Sequence, residues 1–464
     1  MVSSKLARGL GKKVALVEQG RLGGECTNYG CIPSKALIKA ANQCYLMGHA
    51  IGTSYGLSAS SEPKIDRSRV MEHVRNVVKE VYEGHLPETF EKLGVHVIFG
   101  SPAFLDDHQI KVAGETLSAG SFIICTGSSA LIPPIEGIDK VPYLTNQNIF
   151  DLEKLPRSMI ILGGGPIGTE LAQALNRLGV KITMVEMGQQ ILIREDAELS
   201  AVLAERLVAE GLRILTRTKA VKASLDKNGI ALTVEHENGE MDLIEAESLL
   251  VAVGRKANVE GLALEKAGVD YTSRGIKTDG TLRTSARNIY ACGDVVGPYQ
   301  FSHMAEYQAR IAAQNALLPV RRSANYEHYA WCMFTDPELA HAGLTEEEAR
   351  ERHGGKVRVY KWGYKDIDRG KTDLQKLGFS KLICDDKYRV VGAHILGSRA
   401  GELIHEIQIV KTLGIPFYKL DSVIHIYPAF SDVVKQPAKL CHIDKVRRNP
   451  LVRMLTALFG PKNP

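Results

Sequence analysis

Residues 23–35 read GGECTNYGCIPSK, with four residues between Cys26 and Cys31. A helix that begins near Cys26 would place the two sulfurs about one turn apart, close enough for a disulfide and beside the positive end of the helix dipole. That position lowers the pKa of a thiol, so the stretch predicts a redox-active cysteine pair. From the spacing alone, two inert core cysteines stay the alternative.

The composition is that of an ordinary globular protein. Of the 464 residues, 44% are hydrophobic and 24% are charged. This length predicts about three domains with cores of normal size. The net charge of +5 is spread along the chain and gives no reason to expect a nucleic-acid partner.

The cysteines indicate a reducing compartment. The chain has eight cysteines but only one close pair, which favours one catalytic disulfide over a secreted disulfide scaffold. The N-terminus lacks an apolar core of signal-peptide length, and no stretch approaches about 18 apolar residues. The expected location is cytoplasmic. The remaining cysteines are expected to be structural thiols, namely Cys44, Cys125, Cys292, Cys332, Cys384 and Cys441.

A short pattern occurs twice in the chain. Residues 11–18 read GKKVALVE and residues 179–186 read GVKITMVE, each a glycine followed by an apolar strand that ends on an acid. The copies lie at a constant offset of 168 positions, so Glu18 matches Glu186. Because such a strand closes the first βαβ unit of a nucleotide-binding fold, the repeat predicts two nucleotide-binding units.

The second copy carries a complete glycine fingerprint. A predicted strand leads into GGGPIG, which places Gly163, Gly165 and Gly168 in the pattern G-x-G-x-x-G before a predicted helix. The glycines let the backbone approach a pyrophosphate, which the helix N-terminus binds. Glu186 would accept hydrogen bonds from a ribose 2′-hydroxyl and repel a 2′-phosphate. We therefore expect NADH rather than NADPH.

The cysteine stretch closely resembles the redox signature of the class I flavoprotein disulfide reductases, the family of mercuric reductase, dihydrolipoamide dehydrogenase and glutathione reductase. ACGDV at 291–295 resembles the family's second FAD motif. The resemblance covers about residues 5–440. It implies an α/β fold with two Rossmann-like domains, the NAD-binding domain inserted in the FAD-binding domain, and a C-terminal α+β dimerisation domain. The implied domains are 1–132 (FAD-binding, first part), 133–257 (NAD-binding), 258–325 (FAD-binding, second part), 326–440 (dimerisation) and 441–464 (basic tail).

The C-terminal part has its own pattern, which is typical of an α+β domain. The motifs FTDPE and GAHILG resemble the family's dimerisation domain. From residue 326 we expect short strands and one helix, at 357–362, 381–384, 390–396 and 402–413.

The resemblance also implies cofactors and residue roles. The cofactors are FAD and NAD, and the chain is expected to be a homodimer. Cys31 is implied as the thiolate beside the flavin, and Cys26 as the thiol that exchanges with substrate. Glu170 is implied as the partner of Lys35, which lies beside the flavin ring. The other implied FAD contacts are Glu18, Thr126, Gly127 and Asp294.

The first copy departs from the family at its start. The offset of 168 places its three glycines at or before position zero, upstream of Met1. The family uses this loop to hold the FAD pyrophosphate, and the strand before it is a central one whose loss exposes two strand edges. A wrongly assigned start and a real truncation both stay open. A truncated chain would be a flavin-deficient remnant that acts as a binding protein.

Residues 421–432 read DSVIHIYPAFSD and resemble the family's second acid–base element. Lipoamide dehydrogenase and glutathione reductase have a histidine directly before this proline, oriented by a glutamate, which acts as a base across the dimer interface. Tyr427 takes that place here, His425 lies two residues earlier, and Asp432 stands where the glutamate would be. In an extended segment His425 and Tyr427 share a face, so both are candidates for handling protons. A neutral tyrosine, with a pKa of about 10, is a poor base.

The sequence thus predicts an enzyme that passes electrons from NADH through FAD to the Cys26–Cys31 disulfide and on to an acceptor. Mercuric-reductase-like members also carry tyrosine before this proline, which favours a metal-ion acceptor over lipoamide-type disulfide exchange. The paired C-terminal cysteines that deliver mercury are absent, since Cys441 is single, so other small-molecule acceptors stay open. No metal-ligating residue is assigned. The basic tail could form an amphipathic helix that packs on the dimer or contacts a membrane surface.

Overall fold

The computed structural model describes residues 1–50, 64–227 and 229–459. The chain divides into two compact units. Unit 1 consists of Met1–Met187 and Arg217–Asn325, and unit 2 of Gly188–Thr216 and Tyr326–Pro464. The segment 188–216, which the sequence places in the NAD-binding domain, thus groups with the C-terminal residues.

The α-helices of the described residues are numbered in chain order. They are α1 (Val2–Gly9), α2 (Gly24–Asn28), α3 (Cys31–Ala50), α4 (Arg67–Glu83), α5 (Pro87–Glu91), α6 (Pro166–Arg177), α7 (Ala197–Ala209), α8 (Ser302–Leu317), α9 (Glu346–His353), α10 (Asp368–Thr372), α11 (Ala400–Thr412), α12 (Asp432–Arg448) and α13 (Pro450–Phe459).

The strands of the same residues are numbered likewise. They are β1 (Val14–Glu18), β2 (Val95–Phe99), β3 (Ala103–Phe104), β4 (Gln109–Val112), β5 (Glu115–Ser118), β6 (Phe122–Ile124), β7 (Ser128–Ala130), β8 (Tyr143–Leu144), β9 (Ser158–Leu162), β10 (Lys181–Val185), β11 (Arg213–Leu215), β12 (Thr218–Asp226), β13 (Gly229–His236), β14 (Met241–Ala246), β15 (Ser248–Val251), β16 (Arg255–Ala257), β17 (Tyr271–Thr272), β18 (Gly275–Ile276), β19 (Ile289–Ala291), β20 (Ala330–Met333), β21 (Glu338–Gly343), β22 (Arg358–Gly363), β23 (Phe379–Cys384) and β24 (Val390–Gly397).

Unit 1 contains the nucleotide-binding unit predicted for the second copy. β9 leads into the glycine loop, α6 follows, and β10 returns parallel to β9. β15 and β8 continue this parallel sheet on the other side of β9. Residues 159–162 of β9 are buried, as the continuous apolar run of a central parallel strand predicts. The predicted strand, loop, helix and strand are therefore present in that order.

The nucleotide-binding unit predicted for the first copy consists of two separate pairs of parallel strands. β1 pairs with β2, and β6 pairs with β19. Among the residues that the structure describes, no strand joins these pairs, so β1 and β6 each have an unpaired edge. No residue of β1 is fully buried, whereas three of the five residues of its counterpart β10 are buried. The second copy thus has the better-buried strands.

Unit 2 is built on a five-stranded antiparallel sheet with the strand order β20-β21-β24-β23-β22. α11 contacts β20, β21 and β24, and α12 contacts β22 and β23. The predicted α+β pattern is confirmed, because β22, β23, β24 and α11 lie over the predicted ranges within one or two residues. The predicted start of the tail at residue 441 falls inside α12, where Cys441 is buried in the core.

The end of the chain forms two helices where one was expected. α12 ends at Arg448, and α13 begins at Pro450. Proline has no N–H group and a fixed φ, so Pro450 suits the first turn of a new helix. Within the described ranges, no helix is long and apolar enough to cross a membrane. Apolar side chains of α13 are exposed, namely Leu451, Met454, Leu455 and Leu458.

Unit 2 also buries a group of charged side chains. Lys381 on β23 is 4% exposed, and its Nζ lies 2.8 Å from Asp196 and 2.6 Å from Glu346. Glu198 approaches the same Nζ at 3.3 Å and also pairs with Lys361, which is exposed. Buried charges require partners, because removing one partner leaves the others uncompensated in a medium of low dielectric.

Lys381→Met is expected to lower the free energy of unfolding by about 3–5 kcal/mol, since Asp196 and Glu346 lose their buried cation. Lys361→Met is the matched control, because Lys361 lies opposite Lys381 on β22 and its ion pair is exposed. That control is expected to cost about 0–1 kcal/mol. Urea unfolding followed by tryptophan fluorescence measures both, since Trp331 and Trp362 lie in unit 2. Equal losses of unfolding free energy in the two variants would contradict the role of Lys381 as the cation that the buried carboxylates require.

Candidate redox site

The cysteine segment folds as two helices that meet at a tight turn. α2 contains Cys26, and α3 begins at Cys31, so the prediction of one helix that begins near Cys26 is wrong. Tyr29 has a non-helical φ of −139°, and a Cβ added to Gly30 would lie 3.3 Å from the Cα of Cys26. This close turn brings the two thiols into hydrogen-bonding contact.

The two thiols are free and differ in acidity. The hydrogen bond from Cys26 is the main reason why the pKa of Cys31 falls to about 6, although burial opposes the change. The pKa of Cys26 is raised, because it shares that proton with Cys31 and is itself partly buried. Cys31 also begins the 20-residue helix α3, where the helix dipole favours an anion. At neutral pH the pair therefore has a thiolate on Cys31 and a proton on Cys26.

Ser302 contacts the pair and was missed by the sequence analysis. It is the first residue of α8, and its Oγ lies 3.3 Å from the Sγ of Cys31. The hydroxyl lowers the pKa of Cys31 by hydrogen bonding to the thiolate. No motif marks Ser302, because its contact with Cys31 spans 271 positions of the chain.

Lys35 and Glu170 form the ion pair that the sequence predicts. The Nζ of Lys35 lies 2.8 Å from the Oε2 of Glu170. The side chain of Glu170 is 7% exposed, so its charge is held largely out of water. The pair connects α3, which begins with Cys31, to α6, which follows the glycine loop. The effect of this pair on a flavin stays a prediction.

Asp294 lies in a polar cluster that includes the cysteine segment. Its Oδ2 accepts a hydrogen bond from Ser128 at 2.7 Å and lies 3.6 Å from the Nε of Arg255. Arg255 also forms an ion pair with Glu25, the residue before Cys26. The sequence analysis missed Arg255, Ser128 and Glu25. Glu25 stands inside the quoted motif, but its pairing across 230 positions follows only from the fold.

Thr126 and Gly127 form a turn at the end of β6. The Oγ1 of Thr126 donates to the carbonyl oxygen of Asn258 at 2.7 Å, and the Nδ2 of Asn258 donates back to the carbonyl oxygen of Thr126 at 2.9 Å. Gly127 has a φ of 69°, and a Cβ there would meet nothing within 4 Å. Glu18, at the end of β1, accepts a hydrogen bond from the N–H of Gly20 at 2.9 Å.

The loop between β9 and α6 has the geometry of a phosphate-binding loop. Gly163 has a φ of 101°, and a Cβ there would lie 2.5 Å from a backbone oxygen. A Cβ on Gly168 would overlap the carbonyl oxygen of Gly163, whereas Gly165 has open space around it. The carboxylate of Glu186 accepts a hydrogen bond from the N–H of Gly164 at 2.6 Å. The close approach, the open space and the acid together fit a dinucleotide.

Tyr427 is held by a carboxylate in unit 2. Its side chain is exposed, and its hydroxyl donates to Asp368 at 2.6 Å. This hydrogen bond and the negative charge of Asp368 raise the pKa of Tyr427. A hydroxyl that keeps its proton in this way is a poor base at neutral pH.

His425 has different surroundings from Tyr427. Its Nε2 lies 2.7 Å from the Oε1 of Glu406, and its Nδ1 lies 2.9 Å from the carbonyl oxygen of Val423. The side chain of His425 is largely buried, whereas Tyr427 is exposed. The segment is not a strand, and the two side chains contact different carboxylates.

Asp432 does not take the position expected of an orienting carboxylate. It is buried and begins α12, and among the described contacts it bonds neither His425 nor Tyr427. Glu406 and Asp368 are the carboxylates that contact the two side chains. Sequence reasoning missed both, because each lies on a separate helix, 19 positions from His425 and 59 positions from Tyr427, respectively.

Comparison with known families identifies the chain. A model described as pyridine nucleotide-disulphide oxidoreductase matches residues 2–309, and the dimerisation domain of the same family matches residues 329–438. The chain belongs to the pyridine nucleotide-disulphide oxidoreductase family. It is an FAD-dependent oxidoreductase of the class I disulfide reductases, which use NAD(P)H. The resemblance inferred from the sequence is confirmed.

Individual relatives show the same fold and enzyme class. Mercuric reductase of Staphylococcus aureus is 32% identical over 92% of this chain and 78% of its own length. Dihydrolipoyl dehydrogenase of Thermus scotoductus is 35% identical over 93% of both chains. The HOCl-induced flavoprotein disulfide reductase RclA of Escherichia coli has a TM-score of 0.84 at 28% identity, over 95% of this chain and 96% of its own. Its Cu(II) complex has a TM-score of 0.82.

The residues of unit 1 fit both cofactors of the family. The glycine loop with Glu186 offers the close backbone approach and the acceptor that suit a dinucleotide. For FAD, unit 1 offers an acceptor at Asp294, the open turn at Gly127 and the Lys35 ammonium.

In the reduced protein, the rate of alkylation of Cys31 by iodoacetamide is expected to rise with pH as the thiolate forms. The rise has its midpoint at pH about 6, and the rate then levels off. Cys26→Ala and Ser302→Ala each remove a hydrogen bond to the thiolate, so the midpoint of the alkylation rate is expected to move to higher pH. The shift is expected to be larger for Cys26→Ala, because the hydrogen bond from Cys26 has the larger effect on the pKa. Cys26→Ser, which keeps a hydroxyl donor, is the matched control. Mass spectrometry of the Cys31 peptide gives the rates. An unchanged midpoint in Cys26→Ala would contradict the conclusion that a hydrogen bond from Cys26 lowers the pKa of Cys31.

Glu186→Arg is expected to narrow or reverse a preference for NADH over NADPH, by roughly ten- to hundredfold in the ratio of kcat/KM values. Arginine offers two donors to a 2′-phosphate and no acceptor for a ribose hydroxyl. Glu186→Gln keeps the size and one acceptor oxygen and is expected to shift the ratio less. Steady-state rates with NADH and with NADPH, measured with the same acceptor, give this ratio for each variant. A wild type that prefers NADPH would refute this role.

Proposed function

We propose that the protein passes electrons from NADH through FAD to the Cys26–Cys31 pair and from the pair to a metal ion such as mercuric ion. The observation that carries the choice of acceptor is the state of Tyr427. It stands in the place of the family's histidine base and keeps its proton in a hydrogen bond to Asp368. Oxidation of a dithiol requires a base for the incoming thiol, whereas a metal ion binds thiolates directly.

In this proposal the cysteines transfer electrons, and other residues stabilise the thiolate or bind the cofactors. A bound FAD would supply the chemistry that links hydride transfer from NADH to two-electron reduction of the disulfide. Cys31, with its lowered pKa, is the thiolate on the flavin side, and Cys26 is the thiol that meets the acceptor. Lys35 favours the thiolate by its charge, and Glu170 limits that effect. Other residues hold the cofactors: Glu18, Thr126, Gly127 and Asp294 for FAD, and Gly163, Gly165, Gly168 and Glu186 for NADH.

The overall reaction balances without further reactants. NADH and Hg²⁺ give NAD⁺, one proton and Hg⁰, so two electrons are transferred and the disulfide is regenerated. The similarity to a mercuric reductase supports this acceptor, as does the Cu(II) complex known for the related E. coli protein. Cys441 is buried, so the ion is delivered to Cys26 without a relay through the tail.

Lipoamide-type disulfide exchange is the second candidate, and His425 favours it. Its Nε2 meets Glu406 at 2.7 Å, and a histidine oriented by a carboxylate is a suitable general base. The dihydrolipoyl dehydrogenase of Thermus scotoductus is also 35% identical to this chain. In this reading His425 replaces Tyr427 as the base, and Glu406 takes the role predicted for Asp432.

The match to the dimerisation domain supports a homodimer. By family resemblance, residues 421–432 of one subunit then face the cysteine pair of the other. We further propose a cytoplasmic location, in keeping with a cysteine pair that must be reduced in each cycle. α13 packs on the dimer in this proposal, and membrane-surface contact is the alternative for its exposed apolar side chains.

Tyr427→His is expected to raise dihydrolipoamide oxidation at neutral pH by roughly 10²- to 10⁴-fold, the usual effect of a general base, and to leave mercuric-ion reduction nearly unchanged. Tyr427→Phe is the matched control, since it removes the hydroxyl without supplying an imidazole. His425→Ala and Glu406→Gln test the second candidate. Steady-state rates with both substrates distinguish the two. Fast dihydrolipoamide oxidation by the wild type that is lost in His425→Ala would establish the second candidate instead.

A further inference from the structure

Three side chains from distant parts of unit 2 converge in its interior. Glu195 precedes α7, His341 lies on β21, and His394 lies directly opposite on β24. They are 6%, 1% and 0% exposed, respectively, and one potential ligand atom from each lies within 4.8 Å of the others. We propose that these three residues bind a divalent metal ion of the zinc class. No short motif marks this site, because Glu195 and His341 are 146 positions apart.

His341 has one nitrogen bound to a backbone carbonyl and the other facing a carboxylate. Its Nε2 lies 2.6 Å from the carbonyl oxygen of Gly343, which only accepts hydrogen bonds, so Nε2 carries a proton. In the neutral ring, Nδ1 then has a lone pair. That lone pair points at the Oε2 of Glu195, 3.0 Å away. Two electron-rich atoms at this distance repel each other unless a positive charge lies beside them.

His394 has the same arrangement. Its Nε2 lies 2.9 Å from the carbonyl oxygen of Leu344, so the proton is on Nε2 and the lone pair is on Nδ1. This Nδ1 is buried and has no hydrogen-bond partner among the described residues. A buried acceptor without a partner costs about 1–3 kcal/mol. An ion between the rings and the carboxylate removes that cost.

A proton and a metal ion account for these contacts differently. A proton on the Nδ1 of His341 satisfies that nitrogen and Glu195, but it leaves the Nδ1 of His394 without a donor. A metal ion satisfies all three atoms at once. The geometry therefore favours the ion.

The surroundings are those of a metal site. Imidazole ligands of zinc usually donate their other N–H to a carbonyl or carboxylate, as both histidines do here. The second oxygen of Glu195 accepts a hydrogen bond from the Nε1 of Trp331 at 2.6 Å, which fixes the carboxylate. Zinc binds nitrogen and oxygen at about 2.0–2.2 Å, which places its ligand atoms roughly 3.5 Å from one another. The pair at 3.0 Å would therefore move slightly apart, and His394 would move closer to it. The ion would fix Glu195, next to α7, to the central strands of the sheet in unit 2.

The experiment measures zinc in the full-length protein after expression with zinc and dialysis. About one equivalent of zinc per chain is expected by mass spectrometry, and it is expected to persist in Cys26→Ser/Cys31→Ser, which cannot bind zinc at the redox pair. His341→Ala and His394→Ala are expected to weaken zinc binding by at least about a hundredfold, because even outer residues of a zinc site cost 10–100-fold. His405→Ala, an exposed histidine on α11, is the matched control and is expected to keep the metal.

Glu195→Gln separates metal binding from folding. Its amide can accept from Trp331 and donate to the Nδ1 of His341, so the hydrogen bonds are restored without an ion. The variant is expected to fold and to lose zinc, and added Zn²⁺ is expected to raise the Tm of the wild type only. Absence of zinc from the wild type in excess Zn²⁺, equal binding by Glu195→Gln, or loss of zinc in the Cys26→Ser/Cys31→Ser variant would overturn the proposal.

Discussion

The redox site depends on one shared proton. The turn at Gly30 places Cys26 close enough to donate a hydrogen bond to Cys31, and this bond is the largest cause of the lowered pKa of Cys31. Every other group of the site acts on a thiolate that this contact creates. Ser302 and Lys35 stabilise it further, and burial and Glu170 oppose it. An uninterrupted helix would present the two thiols along one face. The break at Tyr29 and Gly30 instead gives them unequal acidity, as a pair with two different roles requires.

The two copies of the nucleotide-binding unit show how much a strand depends on its neighbours. β1 and β10 match in sequence, yet β10 is largely buried and β1 is not. β10 pairs with β9, which is buried, whereas β1 pairs with β2 and keeps its other edge unpaired in the described residues. Apolar residues in a strand stabilise a fold only when neighbouring elements cover them. Similar sequences thus give different local burial within one unit.

The sequence predicted those parts of the site that lie within one motif or follow from family resemblance. The cysteine pair, the glycine loop and the partnership of Lys35 with Glu170 belong to this group. The sequence did not predict Ser302, Arg255, Asp368 or Glu406, because each reaches its partner only through tertiary folding. The different partners of His425 and Tyr427 have a related cause. The rule that alternate residues share a face holds in strands, but residues around Pro428 form no strand, so His425 and Tyr427 contact different carboxylates.

The redox pair and the buried cluster of unit 2 would select different ions. Thiolates are soft ligands that favour mercuric or cuprous ions, whereas two imidazoles and a carboxylate favour zinc and similar divalent ions. Zinc has no accessible redox change, so an ion held by Glu195, His341 and His394 takes no electrons. The cluster is also fully buried, which slows exchange with ions in solution. In the two proposals together, the protein reduces one metal ion and holds another for stability, because ligand softness and burial keep substrate and structural ion apart.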